Sequence, residues 1–463
     1  MGRALITDLY ELNMAASYLC RGMRQQATFS LFVRELPDDR GFYVAAGIDD
    51  CLDYLESFAF DDDDVAWMRA HGFPADMVDL LAPVRFTGDV HAVAEGNVVT
   101  ANEPIMEVTA PLAEAQLVET YLLNRVTFQS VLTTKAARCR VAAGPIQMVD
   151  FALRRTHGID AAMAFARASA IAGFVATSNV EAARLLDLRP AGTMAHSYVE
   201  AFGSEADAFR AFVRDLPGPY TFLVDTYDTL EGVRAAAGVI TELGLEGTLA
   251  IRLDSGDLAE LAKQSRKILD AAGLPHVRIF VSGALDEYAL DALRRSGAPV
   301  DAAGVGTRVG VSADAPYVDS VYKLVALDDE PVAKLSPGKE TLPGAKQLWR
   351  RLPDPDILTL RDEQGPEGFR PMLRPVMRGG RRLSHRASIA DARARLEADL
   401  AALPEAVLRI RGPVPHTVTV SQRLQALADD LRASLQPGAH APRPSPAAHA
   451  RAAAQGEASD SAR

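Results

Sequence analysis

The sequence has little of what marks a secreted or membrane-spanning protein. Its 463 residues include three cysteines, Cys20, Cys51 and Cys139, which form no CxxC pair and of which one must stay unpaired within the chain. This usage favours a reducing cytoplasm over a disulfide framework. The acidic Asp8 and Glu11 precede any apolar run, so no signal peptide is expected. No run of about 18 apolar residues occurs, so no membrane span is expected, and the sequence predicts a cytoplasmic protein.

Common nucleotide-binding and metal-binding patterns are also missing. Gly304, Gly306 and Gly310 do not have the GxGxxG spacing, so a Rossmann dinucleotide site is not expected. There is no GxxxxGK[ST] sequence, so any ATP would be held without a P-loop. The nine histidines and three cysteines show no ligand spacing, so no structural metal is expected. A formal net charge of -12 argues against general nucleic-acid or membrane binding, although not against a local basic pocket.

The pattern of apolar residues predicts a mixed α/β protein. The first part contains a half-buried strand at 27–33, three short strands between 89 and 109, and a helix after Pro111. From about residue 146, short apolar runs are each followed by a helix-like segment, which indicates parallel βαβ units. These runs cover 148–151, 174–176, 222–224, 248–253, 277–281 and 300–303. They fit an α/β barrel or an open doubly wound sheet, and polar motifs at the strand ends favour the barrel.

The end of the chain is less regular. Beyond Lys323 no clear alternation continues, and 335–344 is expected to be a polar loop. A helical pattern returns near 421–431. From Pro437 the sequence is a low-complexity mixture of Ala, Pro, Ser and Arg, which predicts a disordered tail.

Four aspartates and an arginine follow two of the predicted barrel strands. Asp225 and Asp228 come after one strand, and Asp254 and Asp257 come after the next, with Arg252 beside them. Carboxylates together with phosphate oxygens are preferred by Mg²⁺, and Arg offers a planar fork to phosphate or carboxylate. Any one of these aspartates could instead cap the following helix. The group as a whole favours a site for Mg²⁺ and diphosphate, with Asp225 and Asp254 as candidate ligands.

Small residues follow the last two predicted strands. Ser282-Gly283 and the segment Gly304 to Thr307 occupy positions where barrel enzymes often bind phosphate through backbone N–H groups. The glycines could also serve only to form turns. Arg154 and Arg155 add positive charge for an anionic substrate, with surface ion pairing as the alternative.

A histidine lies among hydroxyl side chains in the segment 191–197. His196 has the chemistry of a base, a metal ligand or a nucleophile near neutral pH, although a single loop histidine is often structural. Taken with other segments, this one resembles the nicotinate phosphoribosyltransferase family. The matching segments are Asp-Leu-Tyr at 8–10, Asp-Phe-Ala-Leu-Arg-Arg at 150–155, Val-Asp-Thr-Tyr-Asp at 224–228, Ile-Arg-Leu-Asp-Ser-Gly-Asp at 251–257 and Gly-Val-Gly-Thr at 304–307.

The resemblance implies an irregular α/β barrel beside an α/β sandwich built from N- and C-terminal segments. The implied ranges are 1–120 and 331–436 for the sandwich, 121–330 for the barrel and 437–463 for the tail. The implied assembly is a homodimer whose active sites draw on both subunits. The implied reaction joins nicotinate to 5-phosphoribosyl 1-diphosphate, in the first step of NAD biosynthesis from nicotinate. Mg²⁺ assists, and ATP hydrolysis is coupled through a phosphohistidine at the position of His196.

The residues can be assigned to these substrates. Tyr10 and Phe151 offer aromatic faces to nicotinate, and Ser178, Thr193 and Arg252 offer donors to its carboxylate. Relatives acting on nicotinamide typically have an Asp at the position of Ser178, where an acid would repel a carboxylate. The candidate residues for 5-phosphoribosyl 1-diphosphate are Arg154, Ser282, Gly283, Gly306 and Thr307, and the candidate catalytic residues are His196, Asp225 and Asp254. Ala152 departs from the family, which usually has Gly there, and should be tolerated unless the backbone needs a positive φ.

Three other functions are considered. A nicotinamide or quinolinate phosphoribosyltransferase would share the fold, but Ser178 and the segment around His196 argue against both. A barrel lyase with a Schiff-base lysine needs a Lys at a strand end, and the predicted strands have none. A non-catalytic metabolite sensor is the third alternative, and the intact motif positions argue against it.

Overall fold

The computed structural model describes residues 4–336 and 339–435. The tail predicted from residue 437 lies outside these residues. None of the described helices is long and apolar enough to cross a membrane.

The first third of the chain contains the strand at 27–33, the three short strands and the helix after Pro111 that the sequence predicts. The elements are α1 (Leu9–Cys20), β1 (Gln26–Val33), β2 (Tyr43–Val44), α2 (Ile48–Ser57), α3 (Asp62–Ala70), α4 (Ala75–Leu81), β3 (Asp89–Ala92), β4 (Val98–Val99), β5 (Pro104–Pro111), α5 (Leu112–Leu117) and α6 (Glu119–Ala143).

The middle of the chain alternates strands and helices, and all six predicted parallel strands are present. A 3-10 turn at Leu153–Arg155 follows the first of them. The elements are β6 (Gln147–Asp150), α7 (Ile159–Ile171), β7 (Ala176–Thr177), α8 (Val180–Leu186), α9 (His196–Glu200), α10 (Glu205–Asp215), β8 (Tyr220–Leu223), α11 (Thr229–Glu242), β9 (Leu249–Leu253), α12 (Leu258–Ala271), β10 (Arg278–Val281), α13 (Glu287–Arg295), β11 (Ala302–Val305) and α14 (Thr307–Gly310).

The last part of the described chain returns to short strands and ends in helices. The elements are β12 (Ser320–Leu327), β13 (Glu330–Pro331), β14 (Lys346–Arg350), β15 (Asp356–Leu360), β16 (Arg370–Pro371), β17 (Arg374–Arg378), β18 (Arg381–Arg382), α15 (Ile389–Ala402), α16 (Glu405–Leu408), β19 (Val418–Val420) and α17 (Gln422–Ser434).

The expectation of irregular structure beyond Lys323 is therefore wrong, and buried charges explain why. On β14, Lys346 and Arg350 are buried at 3% and 1% exposure, where they pair with Glu107 and Asp356. Charged residues at buried positions hide the apolar alternation by which a strand is recognised in a sequence.

A seven-stranded antiparallel sheet forms the sandwich part, in the order β13-β12-β1-β5-β3-β17-β18. Phe29 on β1 lies opposite Val108 on β5 and Leu324 on β12. Strand β12 therefore lies in this sheet, although it falls within the range 121–330 that the sequence assigns to the barrel. A second sheet, in the order β16-β14-β15-β19, is contributed by the C-terminal segment.

The six parallel strands of the middle segment form a half-barrel, in the order β7-β6-β11-β10-β9-β8. No pairing between β7 and β8 closes this sheet within the described chain. The predicted fold class, an irregular α/β barrel beside an α/β sandwich, is confirmed. Because all six strands are parallel, their carboxyl ends meet at one edge, and the loops that follow them come together there.

Helix α6 connects the apolar cores of the two parts. Its residues Val126 and Val131 pack in the core under the seven-stranded sheet, whereas Leu132 and Ala136 pack in the core of the half-barrel. A helix of 25 residues that is buried on most sides can hold both layers in register.

Candidate active site

A cavity of about 310 Å³ opens at the carboxyl edge of the half-barrel. It is lined by Phe151, Leu153, Arg154, Ser178, Gly192, Thr193, Met194, Ala195 and Arg252. Four of the five residues predicted to bind nicotinate therefore lie around one space, although three different loops and a strand supply them. A larger cavity of about 800 Å³, between the seven-stranded sheet and α17, contains none of the predicted site residues.

Arg252 organises the cavity wall. From β9, its Nε donates to Ser282 Oγ at 2.7 Å, its Nη1 to Thr193 Oγ1 at 2.8 Å and its Nη2 to Asp254 Oδ1 at 2.7 Å. Its guanidinium carbon lies 5.4 Å from the centre of the Phe151 ring, within cation–π range. Three of its five N–H groups are thus engaged, which fixes the side chain while leaving donors for an anion.

Two of the four aspartates accept hydrogen bonds around the same loop, the one that follows β9. Asp225 Oδ2 accepts from the Asp254 backbone N–H at 3.0 Å and from Ser255 Oγ at 2.7 Å. Asp254 Oδ1 accepts from both Arg252 and Ser282. Burial alone would raise the pKa of the Asp254 carboxyl, but the hydrogen bond from Ser282 and the Arg252 charge hold it below its ordinary value. Asp254 is therefore a stable anion at neutral pH.

The other two aspartates are helix caps. Asp228 accepts from the Glu231 backbone N–H at the start of α11. Asp257 accepts from the backbone N–H groups of Ala259 and Glu260 at the start of α12. The capping alternative applies to these two residues, because their acceptor atoms complete the first turn of each helix.

The carboxylates suit a Mg²⁺ ion that is held partly by substrate. In the part of the chain that the structure describes, no group of three or more His, Cys, Asp or Glu side chains could hold a metal ion. Mg²⁺ is usually bound by one or two carboxylates together with phosphates and water. Asp254 Oδ2 lies 3.9 Å from His196 Nε2, and Asp225 Oδ1 is buried without a hydrogen-bond partner among the described residues. This donor set fits an ion that arrives with a diphosphate.

His196 is the first residue of α9 and faces the same aspartate. Its Nδ1 lies 3.1 Å from Thr226 Oγ1, and its side chain is 41% exposed. A hydroxyl at Nδ1 fixes the ring plane, which leaves Nε2 open to solvent near Asp254. This is an orientation in which an imidazole nitrogen can act as a nucleophile.

The loops after β10 and β11 pack tightly against the cavity residues. Gly283 has φ of +91°, and a Cβ there would lie 2.2 Å from the Asp254 carbonyl oxygen. A Cβ at Gly306 would lie 2.8 Å from the Phe151 carbonyl oxygen, and Thr307 follows as the first residue of α14. Both predicted phosphate loops therefore reach the edge that holds Arg252. Arg154 lies exposed on the cavity wall, and no ion pair of its side chain occurs among the described residues.

The structure clarifies the predictions made from the sequence for two residues, Tyr10 and Ala152. Tyr10 lies on α1, is about half exposed and does not line the cavity within this chain. Ala152 has φ of −90°, so the backbone does not require glycine there. Its methyl group occupies the space beside Gly310, where a second Cβ would lie at 2.7 Å.

Asp150 is a site residue that sequence reasoning did not select. It is buried at the end of β6, where its carboxylate accepts from Ala152 N and Thr177 Oγ1. Its backbone oxygen accepts from Ser178 N at 2.8 Å. Burial raises the pKa of the carboxyl. Asp150 thereby joins the loops that carry Phe151 and Ser178, and an acid at the end of an apolar parallel strand is the signal that indicates it.

The sequence profiles of one protein family match most of this chain. The profile of the nicotinate phosphoribosyltransferase (NAPRTase) N-terminal domain matches residues 5–127, that of the NAPRTase family residues 146–339, and that of the nicotinate phosphoribosyltransferase C-terminal domain residues 354–428. The chain belongs to the nicotinate phosphoribosyltransferase family. The predicted resemblance is confirmed.

Individual members of the nicotinate phosphoribosyltransferase family match over most of their length. Nicotinate phosphoribosyltransferase pncB2 of Mycobacterium tuberculosis is 47% identical over 394 residues, which is 84% of each chain. The Bacillus subtilis nicotinate phosphoribosyltransferase is 42% identical over 377 residues, or 78% of this chain and 77% of the relative.

Solved structures agree with the family assignment. The human nicotinic acid phosphoribosyltransferase superposes with a TM-score of 0.80 and 30% identity, and the match covers 92% of this chain and 100% of that one. A nicotinate-nucleotide pyrophosphorylase from Pyrococcus furiosus has a TM-score of 0.73 at 24% identity, covering 86% of this chain and 95% of that one, and shares the fold.

The six half-barrel strands contain no lysine, so the site has no Schiff-base candidate of the kind that a barrel lyase needs.

Proposed function

We propose that the protein transfers the phosphoribosyl group of 5-phosphoribosyl 1-diphosphate to nicotinate, forming nicotinate mononucleotide and diphosphate in NAD biosynthesis. The observation that carries this proposal is the cavity itself. It combines an aromatic face from Phe151 with donors from Ser178 and Arg252, beside two loops whose glycines allow close approach of phosphate. The Thr193 hydroxyl accepts from Arg252 and donates to the Met194 carbonyl, so it supports Arg252. The relatives named nicotinate phosphoribosyltransferase support the same substrates.

The cavity suits a flat aromatic acid better than the corresponding amide. The remaining N–H groups of Arg252 can meet a carboxylate, and the neutral Ser178 hydroxyl can donate to it. No carboxylate side chain lines the cavity to accept from an amide. Nicotinate is therefore the substrate whose charge is complementary to that of the cavity lining.

The reaction needs alignment and electrostatics more than proton transfer. The pyridine nitrogen carries no proton and attacks the anomeric carbon directly as the bond to diphosphate breaks, so no general base is required. Arg154 and the backbone N–H groups beside Gly283, Gly306 and Thr307 would bind the phosphates, and the Asp254 carboxylate would stabilise the positive charge that develops on the ribose. Mg²⁺ bound by Asp254, with Asp225, would neutralise the leaving diphosphate. Asp225 also holds the Asp254 backbone in place.

The test of this activity is product formation by the purified protein. Nicotinate mononucleotide and diphosphate should appear in equal amounts when both substrates are present, and neither should appear when one substrate is omitted. Formation of nicotinamide mononucleotide instead, or of no product under any combination, would contradict the proposal.

Coupling to ATP is the second part of the proposal. His196 would accept the γ-phosphoryl group of ATP at Nε2, releasing ADP, and the phosphohistidine would be hydrolysed to phosphate later in the cycle. Support comes from the orientation of the ring by Thr226, from the open Nε2 and from the family resemblance. The positively charged Arg252 and Arg154 lie on the adjacent cavity wall.

The phosphohistidine has a chemical signature that tests it. ATP labelled at the γ-phosphate should label the protein with an acid-labile, base-stable phosphate, and His196→Ala should abolish the label. His385→Ala, at an exposed histidine outside the cavity, is the matched control and should keep it. Slower, ATP-independent synthesis should persist in His196→Ala, because the substitution at the anomeric carbon does not require the phosphohistidine. Full labelling of His196→Ala would overturn the assignment.

The working assembly is proposed to be a homodimer with shared active sites. Ile6, Leu9 and Tyr10 form an exposed apolar group at and before the start of α1, each about half exposed or more. A second copy of the chain would cover this group and bring its own Tyr10 to the cavity, where this chain alone does not place it.

A cytoplasmic location is proposed because all three cysteines are free thiols.

A further inference from the structure

A buried ionic cluster lies behind the two phosphate loops. Its members, here called the loop cluster, are Arg40, Lys135, Arg138, Glu287 and Asp314. The first four are at most 1% exposed, and the side chain of Asp314 is 18% exposed. Five charged groups in one interior region are costly to bury, so their positions call for an explanation beyond packing.

Lys135 is the shared member of the loop cluster. From α6, its Nζ lies 2.5 Å from Glu287 Oε2 and 2.7 Å from Asp314 Oδ1. Each carboxylate also pairs with an arginine, since Arg138 Nε lies 3.1 Å from Glu287 Oε1 and Arg40 Nη2 lies 3.2 Å from Asp314 Oδ2. One ammonium group thus connects two carboxylates that otherwise have separate partners.

The two carboxylates lie in the segments that follow the two phosphate loops. Glu287 is the first residue of α13, directly after the loop that contains Ser282 and Gly283. Asp314 comes soon after α14, whose first residue is Thr307. Lys135 therefore joins the start of α13 to the segment after α14, the two segments that continue from the loops after β10 and β11.

Further contacts reinforce the same connection. Arg308, next to Thr307, donates to Asp286 Oδ2 at 2.9 Å, so the two loops also meet directly. Arg40 donates to Ser312 Oγ at 2.7 Å, and Ser312 has φ of +47°, an uncommon value for a non-glycine residue. The path of the loop after β11 is thus set by contacts to the loop cluster.

The Asp314 carboxyl of the loop cluster is ionised at neutral pH. Burial alone would raise the pKa of Asp314, but Arg40 and Lys135 lower it to about 2. A buried pair often adds less stability than apolar residues of the same volume, whereas its charged hydrogen bonds have a strict geometry. The structural effect of the loop cluster is therefore a fixed distance between the loops.

We propose that Lys135 is a positioning residue for 5-phosphoribosyl 1-diphosphate. It touches no substrate, and it holds the two loops so that donors from both can meet the phosphates of one molecule. The inference rests on the proposed function, because it names which part of that substrate site the loop cluster serves.

The test compares two buried lysines. Lys135→Met removes the shared ammonium from the loop cluster. Lys346→Met is the matched control, since Lys346 is also buried and paired with a buried glutamate, Glu107, but lies in the sandwich part. For each variant, the melting temperature, kcat and the KM of each substrate are measured at a temperature well below unfolding.

Both substitutions should lower the melting temperature, but only Lys135→Met should change one KM selectively. The KM for 5-phosphoribosyl 1-diphosphate should rise on the order of 10- to 100-fold, because small displacements of positioning groups have effects of this size. The KM for nicotinate should rise much less, because Phe151 and Ser178 are positioned by Asp150, which accepts hydrogen bonds from Ala152, Thr177 and Ser178. Asp314→Asn, which keeps the pair of Lys135 with Glu287, should give a smaller rise and serves if Lys135→Met does not fold.

Equal changes in both KM values, or the same kinetic change in Lys346→Met, would overturn the positioning role while leaving the proposed function intact. An intact protein without nicotinate-dependent synthesis would remove the proposed function, and this inference with it.

Discussion

Arg252 and Ser178 are the two residues that we propose select the substrate of the cavity. The guanidinium is held by three hydrogen bonds and faces Phe151, so its unused donors have a fixed direction. Ser178 is placed by its backbone bond to Asp150 and brings a neutral hydroxyl to the same space. In this proposal, selection between an acid and an amide depends on whether the side chain at position 178 carries a negative charge.

Ser178→Asp should therefore weaken the use of nicotinate. A lost donor and a new like charge should cost roughly 2–4 kcal/mol, or about 30- to 1000-fold in apparent affinity. Steady-state kinetics with nicotinate as the varied substrate measure this effect. Ser178→Asn, which has nearly the same shape without the charge, is the control and should lose much less. Unchanged kinetics in Ser178→Asp would show that residue 178 does not meet the substrate.

The phosphate loops depend on backbone geometry at the scale of whole elements. Strands β10 and β11 are adjacent and parallel, so the loops that follow them leave the sheet side by side. Gly283 brings the first of these loops against the Asp254 carbonyl, and Gly306 brings the second against that of Phe151. The residues proposed to bind the metal, nicotinate and phosphate are therefore in direct contact through the backbone.

Gly283→Ala should disturb both stability and substrate binding. Its φ of +91° is unfavourable for alanine, and the new methyl group would meet a backbone oxygen at 2.2 Å. Gly273→Ala is the control for the φ effect alone, because Gly273 has φ of +74° and open space around it. Denaturant unfolding should show Gly283→Ala to be less stable than Gly273→Ala by about 1–3 kcal/mol. Equal losses in the two variants would mean that the loop can move away from Asp254.

The seven-stranded sheet contains a histidine that makes stability depend on pH. Burial, and then the charge of Arg361, lower the pKa of His91 on β3 from 6.5 to about 4. As pH falls below 6.5, the unfolded chain binds this proton and the folded protein does not. His91 therefore does not change the unfolding free energy above pH 6.5, and it lowers that free energy progressively as the pH falls towards 4.

His91→Gln should flatten this dependence. The difference in unfolding free energy between pH 7.5 and 4.5 should shrink by about 1–2 kcal/mol, after allowance for screening at a partly exposed site. His385→Gln, at an exposed histidine, should leave the difference unchanged. A pH dependence in His91→Gln equal to that of the original protein would show that His91 takes up its proton normally when folded.

The whole molecule is an α/β half-barrel and a sandwich joined by α6, and much of this was predictable from the sequence. Short apolar runs predicted all six parallel strands, because a fully buried strand leaves a continuous apolar signature. The strands after Lys323 were not predictable, because Lys346 and Arg350 occupy buried positions through ion pairs that only the folded chain reveals.

The candidate site was predictable to a similar degree. Residues at strand ends, such as Phe151 and Arg252, meet at one edge because the strands are parallel. Whether an aspartate caps a helix depends on side-chain direction, so the sequence left capping open for each of the four aspartates, and only the structure shows it for Asp228 and Asp257. Lys135 lies within a long helix, where no local pattern indicates that it contacts two distant loops.

The proposed dimer can be tested at the scale of the assembly. Tyr10→Ala and Arg252→Gln should each impair activity, and a mixture refolded or exchanged together should recover part of it. A mixed dimer has one site with both defects and one site with neither, so random mixing should restore about a quarter of the original activity. If no activity is recovered although mass measurements confirm that subunits have exchanged, Tyr10 and Arg252 do not act together in a site shared between two subunits.

The most direct measurement is the ratio of kcat/KM for nicotinate to kcat/KM for nicotinamide in the intact protein, with 5-phosphoribosyl 1-diphosphate saturating. A cavity built around Arg252 and the neutral Ser178 should favour nicotinate by at least about 100-fold, because a buried donor set left without its acceptor discriminates strongly. Equal values, or a preference for nicotinamide, would contradict the account of this site as a carboxylate-binding cavity.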